Sequence, residues 1–447
     1  MRAVKLAVVA MFLATLCFGL VYNRVVSSQV RNTDVLDDGK FMPRGAIQSE
    51  RQDGLIAQTG VPTEAPAGFD NLTNGLTIQG PAFDTLDEDN AVPLRSFNDD
   101  RFAFEETEVN ADGLGPTYNA QSCRECHQNV ATGGASQITE QRTGHVTNGQ
   151  FFEAPGGSLI HSRAIDPEIV ERVDFADQVR TFRISTNTLG DGFIEAIAND
   201  TLISIRNAQP NALRGSAIIV SVLEANNAAR IGRFGWKAQH ASLQSFAADA
   251  YLNEMGITSP LLPTENTSSG RDISAYDLVA DPEDDGEDVL AFAEFMRSTK
   301  APSRGPITNA VRNGETQFKA VGCNICHTDT IVTAATGTLI NGGAMTVPAA
   351  LGNKTIHPYS DFLLHDIDSG DGIPFLPTPN YAFSTNMIKT APLWGLRTRS
   401  RLMHDGLSFA LQDVIARHGG QASAVTARYN RLTNQQKNQL IAFLNSL

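Results

Sequence analysis

Two copies of Cys-x-x-Cys-His constrain this chain more than anything else in its 447 residues: Cys123-Arg124-Glu125-Cys126-His127 and, 200 residues on, Cys323-Asn324-Ile325-Cys326-His327. Composition alone would yield on the order of 0.001 such motifs. Cysteines at i and i+3 can add to the two vinyl groups along one porphyrin edge, and the histidine that follows then swings beneath the ring as proximal iron ligand. Structural zinc sites space two Cys-x-x-Cys pairs about 15–20 residues apart, and a redox dithiol needs no histidine. The pattern predicts two covalently bound c-type haems, attached through Cys123, Cys126, Cys323 and Cys326, with His127 and His327 as ligands to the two irons.

Haem of this type is attached outside the cytoplasm, and the N-terminus agrees. Arg2 and Lys5 precede an apolar run from Leu6 to Tyr22, closed by Asn23 and Arg24. That is the pattern of an export signal, and the run is also just long enough to span a bilayer. Residues 1–26 therefore read as a signal peptide or a retained membrane anchor, with Cys17 as a small apolar residue within it or, less simply, a lipidation site. The periplasm, or export more broadly, is the expected location. Residues 27–80 are polar and aperiodic, a linker or extended arm. With 35 Lys+Arg against 49 Asp+Glu the net charge is −14, which argues against nucleic acid and suits a basic soluble partner. Hydrophobic residues at 41% are enough for a full core.

The chain reads as mainly α: two cytochrome c-like haem domains with long loops, over 81–300 and 301–447. An acidic stretch, Asp281-Pro282-Glu283-Asp284-Asp285, leads into a helix carrying Val289, Leu290, Phe292, Phe295 and Met296. Gly314 to Phe318 begins a short helix that runs into Cys323. Thr433 and Gln436 form a capping box for a last helix with Leu440, Ile441, Leu444 and Leu447 along one stripe. Strand signals are weak apart from short runs such as Ala217-Ile218-Ile219-Val220.

The far side of each iron separates an electron relay from a catalyst: two strong ligands make a carrier, an open position admits a small molecule. His418 follows Leu411, Val414 and Ile415 at helical spacing, on the same face, with Gly419-Gly420 ending the helix. It is the leading second ligand for the C-terminal haem, against the plainer reading of a cation at a helix C-terminus; Met387, Met403 and His365 are weaker candidates. His145 and His161 are each open as caps of the N-terminal haem or as hydrogen-bonded loop residues.

These residues sit in stretches that resemble the di-haem oxidoreductase family and, more distantly, the bacterial di-haem cytochrome c peroxidases: GLGPTYNAQSCRECH (113–127), GRFGWKA (232–238), HPYSDFLLHD (357–366), TAPLWGL (390–396), LMHDG (402–406) and ARHGGQA (416–422). The resemblance implies that the C-terminal haem takes electrons from a small donor protein, a cytochrome c or cupredoxin, and that the N-terminal haem meets peroxide. It places the second-haem ligand downstream of His404-Asp405-Gly406, at His418, where the peroxidases carry methionine and a methylamine-utilisation relative tyrosine. Methionine raises a haem's potential, so histidine here implies a lower one. The family's distal glutamate finds its local match in Glu195 of Gly192-Phe193-Ile194-Glu195-Ala196, whose apolar neighbours should raise its pKa, unless it is simply a solvated helix residue. Relatives also set a tryptophan between the haems. Trp236 can take that role or serve as a core indole, and Trp394 is expected to pack beside the second haem. Calcium between domains occurs in relatives, but no local oxygen-ligand loop marks it here.

The function expected is a periplasmic di-haem oxidoreductase that reduces hydrogen peroxide, or uses it to oxidise a substrate, at the N-terminal haem. Its rival is a non-catalytic di-haem electron carrier with both irons fully ligated.

Overall fold

The computed structural model describes residues 61–66, 94–375 and 384–447. The apolar run at 6–22 and most of the polar arm lie outside these residues. No helix among the described residues is long and apolar enough to cross a membrane.

Each haem motif is framed by an opening helix before it and a closing helix well after it. In the first frame, Leu94–Glu105 packs on Glu287–Ser298. Phe97 and Phe104, seven residues apart on one face, meet the closing helix: Phe104 lies 4.7 Å from the ring of Phe295 and 6.2 Å from Phe292. Glu287 and Asp288 occupy the first turn of that closing helix, where the helix dipole favours carboxylates. The second frame repeats the scheme with Asn309–Val321 on Asn434–Leu444. The opening helix starts five residues earlier than expected, at an N-cap where the Thr308 hydroxyl accepts from Val311 N, and stops at Gly322 with φ 92°, a conformation that costs glycine nothing. The expected capping box is formed: the Thr433 hydroxyl accepts from Gln436 N, and Thr433 N donates to the Gln436 side chain. Leu440, Leu444 and Leu447 are buried as expected, together with Phe443.

The two frames share an aromatic contact that points at the site. Phe104 lies 6.1 Å from the His127 ring, and Phe318 lies 6.2 Å from the His327 ring while packing on Phe443 at 5.1 Å. One phenyl group thus couples each closing helix to its proximal histidine.

The expectation of a mainly α chain needs correction. Helix takes 34% and strand 18% of the described residues, so the fold is mixed. The strands sit largely in the long stretch between the first motif and its closing helix: Thr139–Thr147 pairs antiparallel with both Gln150–Glu153 and Val179–Ile184. The first of these reads TEQRTGHVT, too polar to give an alternating apolar signal. The Ile219–Val222 strand, paired with Ala228–Ile231, falls where the apolar run predicted one. The end of the N-terminal arm is also ordered: Thr63–Glu64 lies parallel to the start of Lys354–Ile356, and Glu64 meets His357 at 2.7 Å.

Two apolar clusters are the largest among the described residues. The larger runs from Phe97 to Met296 and also takes in Ile331, Ile340, Val347, Leu351, Ile356, Phe362 and Leu363. The smaller gathers Val311, Phe318, Tyr359, Leu402, Tyr429 and the last helix. Residue 301 falls between the two helical frames, and most buried apolar residues from 331 to 363 join the first core, Tyr359 excepted.

At Gly314 the second helix pair touches backbone to backbone: a Cβ there would overlap the Gln439 carbonyl oxygen and lie 2.7 Å from Phe443 Cβ. In an open helix Gly→Ala gains about 1 kcal/mol. Here we expect Gly314→Ala to lose about 1–3 kcal/mol by overpacking, read as a lower denaturation midpoint of the haem-loaded protein; a gain would show that the helices do not approach this closely.

Candidate functional site: two haem-binding motifs

The second motif begins directly after Gly322. Cys323–Ile325 forms a tight 3-10 turn, and His327 N donates to Cys323 O at 3.0 Å. His127 N makes the same bond to Cys123 O, also at 3.0 Å. Both motifs thus fold into the same local turn. Burial pushes the Cys323 and Cys126 thiols up to about 12.

His327 faces His418 with ring centres 6.4 Å apart. Their nitrogens are sorted by two backbone carbonyls: Nδ1 of His327 donates to Tyr359 O at 2.9 Å, and Nδ1 of His418 donates to Val414 O at 2.7 Å. A carbonyl can only accept, so Nδ1 carries the proton and Nε2 keeps its lone pair. Burial, then the neighbouring His418, brings His327 down to about 4; burial also lowers His418. Both rings are therefore neutral, the form that binds metal. An iron at about 2 Å from each Nε2 sets the ring centres about 6 Å apart, so the pair fits a single haem iron. A cavity of about 210 Å³ opens beside it, lined by Cys323, Cys326, His327, His418, Trp236 and His404 among others.

The loop from His404 to His418 has a mechanical reason for its length. Asp405 holds Arg417 through a two-point ion pair, one arm at 3.1 Å, and Arg417 also donates to the Ser408 hydroxyl at 2.8 Å. Arg417 caps the helix Leu411–Ala416, and His418 follows at once, just beyond the helix. Its carbonyl accepts from the Thr426 hydroxyl at 2.7 Å. The His-Asp-Gly motif thus anchors the His418 segment through its aspartate.

The weaker alternatives fall elsewhere. His365 is locked to Asp361 at 2.8 Å, with its other nitrogen 3.7 Å from Cys326 Sγ. Although burial opposes it, Asp361 raises His365 to about 10, which favours its charged ring. Met387 is buried in a separate apolar cluster. Met403 lines the cavity.

Around the first motif, burial lowers His127 to about 4, again leaving a neutral ring. His145 stacks on Phe152 at 5.3 Å and bonds Asp177 at 3.3 Å. His161 is buried, with Nε2 against Asn253 O at 2.7 Å and Nδ1 against Thr117 and Glu171, each at 3.2 Å. Both histidines are engaged with protein partners.

Glu195 does not match its expected chemistry. It is wholly buried, and Arg297 grips it at 2.7 and 3.0 Å while Leu243 N and Asn341 Nδ2 donate at 2.8 and 2.9 Å. Burial alone would raise its pKa, but Arg297 and these donors bring it down to about 2. A carboxylate so held does not exchange protons near neutrality. Its local apolar flanks suggested the reverse because its cationic partner lies 102 residues away.

Trp236 lines the cavity, donates from Nε1 to Ile184 O at 2.7 Å, and sets its ring edge-on to His404 at 6.1 Å. Trp394 is corrected: it is buried in the larger core, against Gly190, rather than lining the second haem cavity. In the acidic stretch, the carboxyls of Glu265, Asp281 and Glu283 come within 4.8 Å of one another, yet Glu283 already accepts from Thr258 N at 2.8 Å.

Because the folded pKa of Glu195 is depressed from its usual 4.5 to about 2, its contribution to stability is complete above pH 4.5 and is lost as pH falls toward 2. Glu195→Gln should cost about 3–5 kcal/mol near neutrality by stranding Arg297, and the gap to the parent should narrow in acid. Denaturant titrations at several pH values check this; equal stability at neutral pH would contradict the role of the ion pair.

Residues 161–447 match the family described as "Di-haem oxidoreductase, putative peroxidase". No curated protein matches. Similar solved structures include a MauG-like protein associated with microbial copper homeostasis, 19% identical over 39% of this chain and 56% of that one, with a TM-score of 0.24. The hydrazine synthase of Kuenenia stuttgartiensis is 14% identical over 79% and 88%, with a TM-score of 0.34. The diheme peroxidase BthA from Burkholderia thailandensis is 16% identical over 49% and 67%, with a TM-score of 0.29. The chain belongs to the di-haem oxidoreductase family, with the two haems and the redox function that membership carries.

Proposed function

We propose that this chain is an exported enzyme that reduces hydrogen peroxide, or uses it to oxidise a substrate, at the haem of Cys123, Cys126 and His127, with electrons relayed through the haem of Cys323, Cys326 and His327. The observation that carries this reading is the asymmetry between the sites. His327 has His418 facing it at 6.4 Å, each with Nδ1 on a backbone carbonyl, so the two can together hold one haem iron. The histidines nearest in sequence to His127 are spent on other partners. A six-coordinate haem suits a relay, and an open one suits a small oxidant. The haem irons supply the one-electron chemistry; the protein supplies attachment, ligands, access and protons.

Each residue has a defined part in this proposal. Tyr359 O and Val414 O hold the tautomers of the relay ligands. Asp405 and Arg417 hold the His418 loop. Trp236, pinned to Ile184 O in the cavity wall, provides an aromatic bridge on the route between the motifs. A net charge of −14 favours a basic cytochrome c or cupredoxin as donor.

Low-temperature EPR of the fully ferric, haem-loaded protein tests the assignment. We expect one low-spin and one high-spin signal, with only the latter altered by peroxide. His418→Ala should abolish the low-spin signal while leaving the haem content at two. Two low-spin signals indifferent to peroxide would instead identify a carrier.

A further inference from the structure

The cavity beside His327 and His418 is charged against the trend of the chain. The whole sequence carries a net −14, yet among the described residues lining this cavity three are lysine or arginine and none is aspartate or glutamate. Lys389 is 5% exposed, and its Nζ stands 5.8 Å over the Phe362 ring with no hydrogen bond or ion pair to a described residue. Asp191, also buried, acts on it without pairing to it. Arg399 donates to Pro392 O at 3.1 Å and Trp394 O at 3.2 Å, and Arg401 to Gly406 O at 3.4 Å. These arginine contacts are with carbonyls, which leave the charge unbalanced. Cations gathered around an enclosed space without carboxylates fit an anionic occupant, because a buried charge is costly unless it is paired.

Two neutral groups on the same wall are also left without partners. Asn187 Nδ2 and His404 Nδ1 are both buried and hydrogen-bonded to no described residue. His404 is 3% exposed, and its ring stands edge-on to Trp236 at 6.1 Å. Burial brings it down to about 4, so the ring is neutral and carries one N–H. Buried polar groups seldom go unsatisfied. A carboxylate in the cavity would accept from the Asn187 amide, and from His404 with the proton on Nδ1.

We propose that the second haem seats its propionate edge against Asn187 and His404, with Lys389, Arg399 and Arg401 balancing the two carboxylates. Thioether bonds to Cys323 and Cys326 take the vinyl edge of the ring, and the propionates leave the opposite edge. The orphaned groups and the cations are what that edge meets. Asn187 also ties this part of the cavity wall to the first motif. Its neighbour Thr188 donates from N and Oγ1 to Gly133 O at 2.9 and 2.7 Å, and Gly133 N donates to His127 O at 2.8 Å. The redox consequence is electrostatic. An uncompensated propionate favours ferric iron, whose extra positive charge it attracts. Cations at the propionates weaken that preference and raise the potential, opposing the downward pull of two histidine ligands.

This inference rests on the second motif holding a haem, and on the His327/His418 ligation of the proposed relay, but not on peroxide as oxidant. The test is redox-difference infrared spectroscopy of the full haem-loaded chain with isotope-labelled propionate carboxyls. A potentiometric titration accompanies it, in which the second haem is the low-spin signal that His418→Ala removes. Asn187→Leu and His404→Leu should each move a labelled carboxylate band. Lys389→Met and Arg401→Gln should each lower the second haem's equilibrium constant for reduction by about three- to tenfold, and Lys389→Arg and Arg401→Lys should restore it. The first haem should change less. Groups with a merely structural role leave the labelled bands where they are. Unmoved bands in both leucine variants, or an unchanged second-haem potential in both charge-removing variants, overturn the proposal. Should one leucine variant fail to take up haem, the other decides. Band and potential shifts without any peroxide turnover would support this seating and count only against the proposed substrate.

Discussion

Everything at the second site depends on two hydrogen bonds from ring nitrogens to backbone carbonyls. An imidazole binds iron only through a nitrogen that lacks a proton, and in a neutral ring just one nitrogen lacks it. Tyr359 O and Val414 O decide which one by accepting from Nδ1. The same bonds fix the ring planes, so that two side chains 91 residues apart in sequence face each other across one iron's width. Burial supports the arrangement by making the charged ring unfavourable. Helix packing, capping and the Asp405–Arg417 ion pair serve mainly to keep those carbonyls and rings in register.

Carboxyl chemistry in the rest of the molecule follows the same principle, in which surroundings outweigh local sequence. Glu195 and Glu254 are both glutamates in short helical turns with apolar neighbours. Glu195 meets a guanidinium and two N–H donors and is held ionised, whereas burial and then Glu140 push Glu254 well above the usual carboxyl range. Nothing within a few residues of either separates them. The difference comes from Arg297 and Glu140, each brought in from a distant part of the chain.

That contrast also shows what was legible in the sequence. Cys-x-x-Cys-His is readable because covalent chemistry demands its residues at fixed spacing. The Thr433–Gln436 box and the buried stripe of the last helix are readable because capping and amphipathicity are local. The helical spacing of Leu411, Val414 and Ile415 pointed to His418, which lies just beyond the helix and faces His327. Backbone carbonyls, by contrast, have no sequence signature, so the partners that orient His327 and His418 were invisible. The polar strand Thr139–Thr147 was missed because its stability comes from the ladder with Val179–Ile184 and from charge pairs such as Glu140–Arg142, rather than from an apolar face. Trp394 was misplaced for a related reason: proximity in sequence to His404 said nothing about Gly190, the neighbour against which it packs.

One further buried network braces the cavity wall at Trp236. Asp371 accepts from Arg183 at 2.8 Å and pairs with Lys237 at 2.9 Å, and all three are nearly inaccessible. Lys237 in turn donates to Met387 O at 2.8 Å and Thr385 O at 3.0 Å. Buried ion pairs of this kind seldom stabilise a fold more than apolar side chains of the same size, because desolvation offsets attraction. Their geometry is more demanding than that of an apolar contact, however. Arg183 precedes Ile184, whose carbonyl receives the Trp236 indole, and Lys237 follows Trp236 directly. The indole is therefore held from both sides by one aspartate, on the wall of the cavity that begins at His327 and His418. Arg183 also faces Glu140 across the sheet, and Glu140 is paired with Arg142, so the charges of the strand Thr139–Thr147 and those that set Trp236 belong to one continuous framework.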